Sequence, residues 1–296
     1  MQIFLTGGTG LIGRALCAAL LAQNHQLTVF SRRPEQVASL CGSNVMAVNS
    51  LARWQPEHCD AVINLAGEPI VDARWTASRK NSLWNSRVLL TQQLLERIQR
   101  SEVRPRVLLS GSAIGYYGDC GAQVLDESSS AGGDFSAQLC QAWEQAALSA
   151  QDLNLRVCCL RTGLVLAPKG GLLGKMRLPF QWGLGARLGN GEQFMSWIHI
   201  DDYVAMVLKL LTDDQANGAF NMTAPHPVTN AEFTQTLAQA LHRPSFLFAP
   251  KRALQWLLGE RAALMLEGQR VLPKKIQQQG YVFQYPQLVS ALASLV

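Results

Sequence analysis

Several features are missing from this chain, and each absence excludes a class of function. No run of lysine and arginine occurs, although the formal net charge is +5. The basic residues are dispersed, which argues against a nucleic-acid-binding surface. No apolar stretch reaches the roughly 18–20 residues that cross a bilayer, so no membrane span is expected. No C-x-x-C pair occurs among the seven cysteines, Cys17, Cys41, Cys59, Cys120, Cys140, Cys158 and Cys159. Their number is odd and several lie in apolar runs. They read as small core residues in a reducing compartment, not as a disulfide frame or a metal site. His25, His58, His199, His226 and His242 show no metal-ligand spacing. No charged leader precedes the first strand pattern, so the expected location is cytoplasmic. No internal repeat or low-complexity tract appears. Charged residues make up only 16% of the 296 residues against 48% hydrophobic. A sizeable core can form, as one large α/β domain or as a core with a smaller lobe.

What is present begins at once. Gln2-Ile3-Phe4-Leu5-Thr6 reads as a strand, and Gly7-Gly8-Thr9-Gly10-Leu11-Ile12-Gly13 as a tight turn into a helix with Ala15, Leu16, Ala19 and Leu20 on its apolar face. Two glycine frames fit, Gly8-x-Gly10-x-x-Gly13 and Gly7-x-x-Gly10-x-x-Gly13. Such a turn needs glycine so that the backbone can approach a pyrophosphate, and its last glycine lets helix and strand pack closely. The free N–H groups of the helix start then face the anion. A glycine pattern alone is weak, but strand before and helix after supply the confirming context.

Further strand patterns follow at Gln26–Ser31, Val45–Val48, Asp60–Leu65, Arg106–Ser110 and Arg156–Arg161, with helices expected over Ala77–Arg100 and Phe135–Ala150. This alternation predicts an α/β fold: a Rossmann-type, doubly wound parallel sheet. The second strand ends in Ser31-Arg32-Arg33-Pro34. An acid there would bind the 2′-OH of NAD, whereas arginine accommodates the 2′-phosphate of NADP. Downstream of the glycine turn, the arginine pair points to NADP(H); on its own it would read as solvated charge. The glycine-ended turn Asn64-Leu65-Ala66-Gly67 suits close approach of a flat ligand to the sheet edge. Residues 168–195 read as a loop region over the site, with Lys169, Lys175, Arg177 and Arg187 either hinting at an anionic ligand or simply solvated. Ser196–Asp202 opens a helix, Ala219–Met222 is a further strand, and the chain from Thr229 is mostly helical. The organisation expected is an NADP(H)-binding core over 1–165, with 196–225 returning to it, and a substrate or partner lobe over 166–195 and 226–296.

Together the Thr6–Gly13 turn, Asn64-Leu65-Ala66-Gly67, Ser110–Gly118 and Trp197-Ile198-His199-Ile200-Asp201-Asp202 resemble the extended short-chain dehydrogenase/reductase superfamily, the nucleoside-diphosphate-sugar epimerases and their relatives. Arg74-Trp75-Thr76, Ser196–His199 and Glu267–Lys274 resemble more narrowly its atypical "epimerase family" branch, which carries a C-terminal domain of unknown function. The resemblance implies cofactor contacts at Gly7, Thr9, Gly10, Leu11, Ile12, Gly13, Ser31, Arg32, Arg33, Leu65, Ala66, Gly67, Ser110 and Val165. It also implies a catalytic Asn, Ser, Tyr and Lys, with the tyrosine as acid/base and the lysine one helical turn on. Ser112 fits the serine, with Ser110 as the fallback. Alignment on Trp143-Glu144 puts Ser136 at the tyrosine position and Cys140 at the lysine position, and Arg87 stands where the family has asparagine.

Three accounts of that departure stand open. Tyr116 or Tyr117, beside Ser112, supplies the phenol, or these rings are loop packing. Arg87 binds a cofactor phosphate or supplies the missing positive charge. Or the protein binds its cofactor without turnover. The expected function is an NADP(H)-dependent oxidoreductase or epimerase-like enzyme acting on a small carbonyl or hydroxyl compound; the alternative is a silent NADP(H)-binding regulatory or interaction protein. His199 reads as a packed or capping residue, and a Ser-His-Asp hydrolase is unsupported because Ser112 lacks a nucleophile-elbow sequence. The protein is expected as a monomer or homodimer.

Overall fold

A computed structural model describes residues 1–296. The first half runs β1 (Gln2–Thr6), α1 (Leu11–Ala22), β2 (Gln26–Phe30), α2 (Val37–Cys41), β3 (Met46–Val48), β4 (Ala61–Asn64), α3 (Ala77–Trp84), α4 (Leu90–Gln99), β5 (Val107–Ala113), β6 (Val124–Leu125), α5 (Phe135–Leu148) and β7 (Arg156–Thr162). The second half continues with β8 (Leu164–Leu166), α6 (Gly171–Gln181), β9 (Ala186–Leu188), β10 (Phe194–Met195), β11 (Trp197–His199), α7 (Ile200–Thr212), β12 (Gly218–Met222), β13 (Val228–Thr229), α8 (Asn230–Ala240), β14 (Leu247–Ala249), α9 (Lys251–Leu258), α10 (Ala263–Leu266), β15 (Arg270–Val271), α11 (Lys274–Gln278) and α12 (Leu288–Leu295). Seven strands form one sheet in the order β3-β2-β1-β4-β5-β7-β12, every pairing parallel. The order reverses between β1 and β4, which opens a crevice at the carboxyl ends of those strands.

Residue-by-residue alternation explains why the sheet is covered on both faces. Ile3 and Leu5 pack with Leu16 and Leu20 of α1 and with Met206, Val207 and Leu210 of α7. Phe4, between them, points the other way, to Val62, Leu108 and the α4 residues Leu94, Leu95 and Ile98. Cys158 and Cys159 divide in the same manner between the two faces. All seven cysteines are free, and burial pushes the Cys59 thiol up to about 12 and the Cys158 thiol to about 11. They serve as core. A separate apolar cluster joins Leu173 and Phe180 of α6, Trp197, Phe233 and Leu237 of α8, and Leu288 and Leu292 of α12.

Three sequence expectations change here. The helix expected over 77–100 is interrupted by a π-helical turn at Asn85–Leu89. The loop expected over 168–195 contains α6, β9 and β10, with β9 pairing to β14 and β10 to β13. Trp197–His199, expected as a helix start, is first a strand paired with Leu164–Leu166. No helix is long and apolar enough to cross a membrane.

Candidate functional site: a cleft at the carboxyl edge of the sheet

A cleft of about 680 Å³ opens where the sheet order reverses. Its floor is the glycine turn. Gly7 sits at φ +74°, and a Cβ there would lie 2.7 Å from the Leu65 carbonyl carbon. A Cβ on Gly13 would overlap the Gly7 carbonyl oxygen. These two glycines let the turn, α1 and the chain after β4 approach one another. Gly10 caps α1 with extended backbone and no side-chain hydrogen bond, so no side chain competes for the helix-start N–H groups. Gly7, Gly10, Leu11, Ile12, Gly13 and Leu65 all line the cleft. A diphosphate fits this cradle by its chemistry.

Arg32 and Arg33 follow β2, which pairs beside β1, so they stand at the edge of the glycine turn and are exposed. Arg32 is engaged by Glu68, 2.6 Å away, and the Arg33 amide donates to Ser31 Oγ. Burial opposes ionisation of Glu68, but its hydrogen bond from Arg32 dominates and holds its carboxyl below the usual range. No local pattern pairs this arginine with Glu68, which reaches it from the turn after β4.

Buried hydroxyls and amides hold the strand ends in place. Thr6 Oγ1 donates to Asn64 Oδ1 at 2.6 Å, Asn64 Nδ2 donates to Thr91 Oγ1 at 2.8 Å and to Ser110 Oγ at 3.4 Å, and Thr6 Oγ1 accepts from the Ala66 amide. Ser110 is fully buried in this lattice and does not line the cleft. Its hydroxyl, expected as a cofactor contact, is bonded to Asn64 and links β4 to β5. Thr9, Ala66 and Gly67 also lie outside the cleft wall, as does Val165, whose place is taken by Gly163 and Leu164.

Arg87 lines the cleft from the π-helical turn, a helix distortion often found at functional sites. It donates to the carbonyls of Glu68 and Leu83, lies 5.4 Å from the Trp143 ring and packs on Gly67. Burial lowers its pKa from the ordinary arginine value. Arg87 therefore places a cation beside Cys140, the position where the resemblance implies a lysine.

Ser112 also lines the cleft, buried at the end of β5. Its Oγ lies 2.6 Å from Glu144 Oε1, and Glu144 is held through both oxygens by Arg161 Nε and Nη2 at 2.9 Å each. A carboxylate can only accept, so Ser112 donates to Glu144 and turns lone pairs to the cleft. Burial by itself would lower the Arg161 pKa, but its bonds to Glu144 hold it above the usual arginine range. Nothing in the sequence marked Glu144 and Arg161 beyond a charge on each of two apolar segments. Ser136 and Cys140 line the cleft one helical turn apart, and burial pushes the Cys140 thiol up to about 12.

Tyr116 and Tyr117 do not line the cleft. The Tyr117 hydroxyl donates to Asn221 Oδ1 at 2.7 Å and accepts from Arg161, and burial raises its pKa to about 12. The Tyr116 ring lies 3.5 Å from the Arg161 guanidinium carbon. This corrects their expected place as cleft phenols: both pack behind Ser112 around the Arg161 guanidinium. His199 is buried, caps α7 by accepting from the Asp201 amide and stacks on Tyr285, as expected of a packed or capping residue. Lys169, Lys175, Arg177 and Arg187 do not converge: none lines the cleft, and Lys175 pairs with Asp72 at 2.7 Å. The cleft's outer wall comes instead from Trp75, Phe135, Glu260, Ala263, Leu264, Glu267 and Gln269.

The fold and the glycine cradle define a Rossmann-type dinucleotide-binding protein of the extended short-chain dehydrogenase/reductase class. Residues 3–223 match the NAD dependent epimerase/dehydratase family, and residues 249–295 match a domain of unknown function, DUF1731. The chain belongs to that epimerase/dehydratase family and to its epimerase-family branch. It is similar to "Epimerase family protein SDR39U1 homolog, chloroplastic" of Arabidopsis thaliana, 39% identical over 100% of this chain and 87% of that one. It is also similar to Epimerase family protein ML0860 of Mycobacterium leprae, 38% identical over 98% and 94%. The structure superposes on human epimerase family protein SDR39U1, crystallised with NADPH, with a TM-score of 0.91 and 36% identity over 100% and 99% of the two chains. Against the nucleoside-diphosphate sugar epimerase of Corynebacterium glutamicum the TM-score is 0.80 at 30% identity, covering 100% of this chain and 58% of that one.

Proposed function

We propose that this protein binds NADP(H) and exchanges hydride with a small carbonyl or hydroxyl compound. The observation that carries the reading is one continuous cleft, running from the uncapped start of α1 past Ser112 to the C-terminal residues Leu264 and Gln269. The glycine turn suits the diphosphate, and Arg32 and Arg33 suit a 2′-phosphate. The human relative crystallised with NADPH supports the same cofactor. The nicotinamide, when bound, supplies or takes the hydride. Ser112, committed as a donor to Glu144, accepts a hydrogen bond from a substrate hydroxyl and so orients the carbon that bears it. Ser136, Thr162 and Tyr203 are the other hydroxyl-bearing residues on the wall, and Arg87 the one lysine or arginine there.

A second reading, a silent NADP(H)-binding protein, draws on a specific observation: no amine lines the cleft, and its one phenol, Tyr203, is fully buried with its hydroxyl 3.1 Å from Thr162 Oγ1. Thermal unfolding with NADPH, NADH or neither tests the cofactor assignment. At about 100 times the dissociation constant NADPH adds roughly 2.7 kcal/mol, which raises the midpoint by several degrees at this size. Arg32→Ala/Arg33→Ala is expected to lose most of the NADPH preference over NADH while leaving the unliganded midpoint unchanged. No shift with either nucleotide would overturn the reading, and NADPH oxidation by any carbonyl compound would exclude the silent one.

A further inference from the structure

The outer half of the cleft has a chemistry of its own. Trp75, Phe135, Leu139 and Leu264 form its apolar wall. Trp75 and Phe135 meet edge-on with ring centroids 5.3 Å apart. The indole N–H of Trp75 is already donated to the Ile70 carbonyl at 2.9 Å, and that of Trp143, deeper in, to Thr91 Oγ1 at 3.2 Å. Both rings therefore offer the cleft only carbon. A ligand body here gains by leaving water, in proportion to the apolar surface it buries.

Charge on the wall has one sign at this end. Asp134, Glu260 and Glu267 line it, whereas Arg87 is the one lysine or arginine on the whole cleft wall. Arg87 spends its donors on the carbonyls of Glu68 and Leu83 and on Ser86 Oγ. Lys80, the cation next to the mouth, is paired with Glu260 at 2.7 Å and packs 4.8 Å from the Phe135 ring centre. A nucleoside diphosphate would bring its negative charges against three carboxylates; Lys251, the cation whose charge reaches Glu267, is not on the cleft wall.

We infer that the outer half of the cleft binds an apolar, ring-bearing compound that carries no phosphate or carboxylate, so that this protein's substrate is not a nucleotide sugar. Ser136, Thr162, Tyr203 and Gln269 are the uncharged hydroxyl and amide groups on the wall that can donate to such a molecule, and Ser112 can accept from a hydroxyl on it. The inference rests on the cofactor reading above for the position of the reacting carbon, but the choice of ligand class depends on the outer wall alone.

The test compares 2-acetylnaphthalene, 6-acetyl-2-naphthoic acid and UDP-glucose as ligands of the NADPH-loaded protein, by thermal midpoint and calorimetric titration. The first two differ by one carboxylate. The neutral ketone is expected to raise the midpoint beyond NADPH alone and to bind about tenfold tighter than its acid, with no shift from UDP-glucose. Trp75→Ala and Phe135→Ala are expected to weaken the ketone about tenfold while keeping the NADPH shift, and Glu267→Gln to narrow the gap between ketone and acid. Tighter binding of the acid or of UDP-glucose overturns the inference, and so does a ketone that adds no shift. If NADPH itself gives no shift, the cofactor reading fails instead, and the order of ketone and acid on the cofactor-free protein still decides this one.

Discussion

The Ser112 hydroxyl, at the end of β5, is controlled by a buried ion pair, Glu144 and Arg161. Glu144 and Arg161 lie on different elements, each buried to 4–5% exposure among apolar neighbours. Only the packing of α5 on β5 and β7 brings them within hydrogen-bond reach, and no local pattern encodes that. Because the pair is buried, its two members are strongly interdependent. Glu144→Gln is expected to cost about 3–5 kcal/mol, read by urea unfolding, since it strands the Arg161 charge away from water. Replacing both at once, Glu144→Leu with Arg161→Met, is expected to recover most of that loss. An additive double mutant would show that the two do not act as a unit. Tyr116 and Tyr117, next to Ser112 in sequence, pack around the Arg161 guanidinium, which lies against both rings and donates to the Tyr117 hydroxyl.

At the scale of elements, the sheet was readable because its strands carry apolar runs bounded by turn residues. Residues 168–195 were not. α6 starts on two positive-φ glycines, Gly170 before it and Gly171 as its first residue, and holds Pro179 inside it, so its local signals are those of a loop. The apolar contact of Leu173 and Phe180 overrides them. The C-terminal tail is attached in a comparably non-local way. Asp202 of α7 accepts from the Tyr281 hydroxyl and the Gln284 and Tyr285 amides, and His199 stacks on Tyr285 and meets Ser294 at 3.2 Å. Burial lowers the His199 pKa, against the weaker pull of Asp201 and Asp202. The unfolded chain therefore takes up a proton first as pH falls. The stability that neutral His199 contributes is full above about pH 6.5 and is lost as pH drops toward its folded value. Midpoints measured from pH 8 to 5 are expected to fall less in His199→Gln than in the wild type. Equal slopes would remove this histidine from the account.

Across the whole molecule, the segment before α3 and the C-terminal lobe meet over the cleft mouth through polar contacts. Lys80 pairs with Glu260, Lys175 with Asp72, and Arg74 donates to the Leu257 carbonyl. These groups are largely exposed, and each such contact is worth about 0–1 kcal/mol and is screened by salt. The apolar clusters beneath are indifferent to salt on that scale. Raising ionic strength to about 1 M is therefore expected to leave the unfolding midpoint within a degree or two while increasing proteolytic cutting in the segment 69–76 and near α9. Cutting that is unchanged by salt would show that the mouth is held by packing and not by charge.

The overlap of Gly7, Gly13 and Leu65 at the cleft floor bears on how this protein should be disarmed in a cell. The usual way to make a nucleotide-blind allele is to fill in the glycine motif. Here the same atoms join the first strand, the first helix and the fourth strand's exit, so an alanine at Gly13 collides with the Gly7 backbone whether or not a nucleotide is present. A null phenotype from such an allele would report missing protein as readily as missing cofactor. The exposed arginines at the end of the second strand offer a cleaner lesion, because removing them leaves that joint intact.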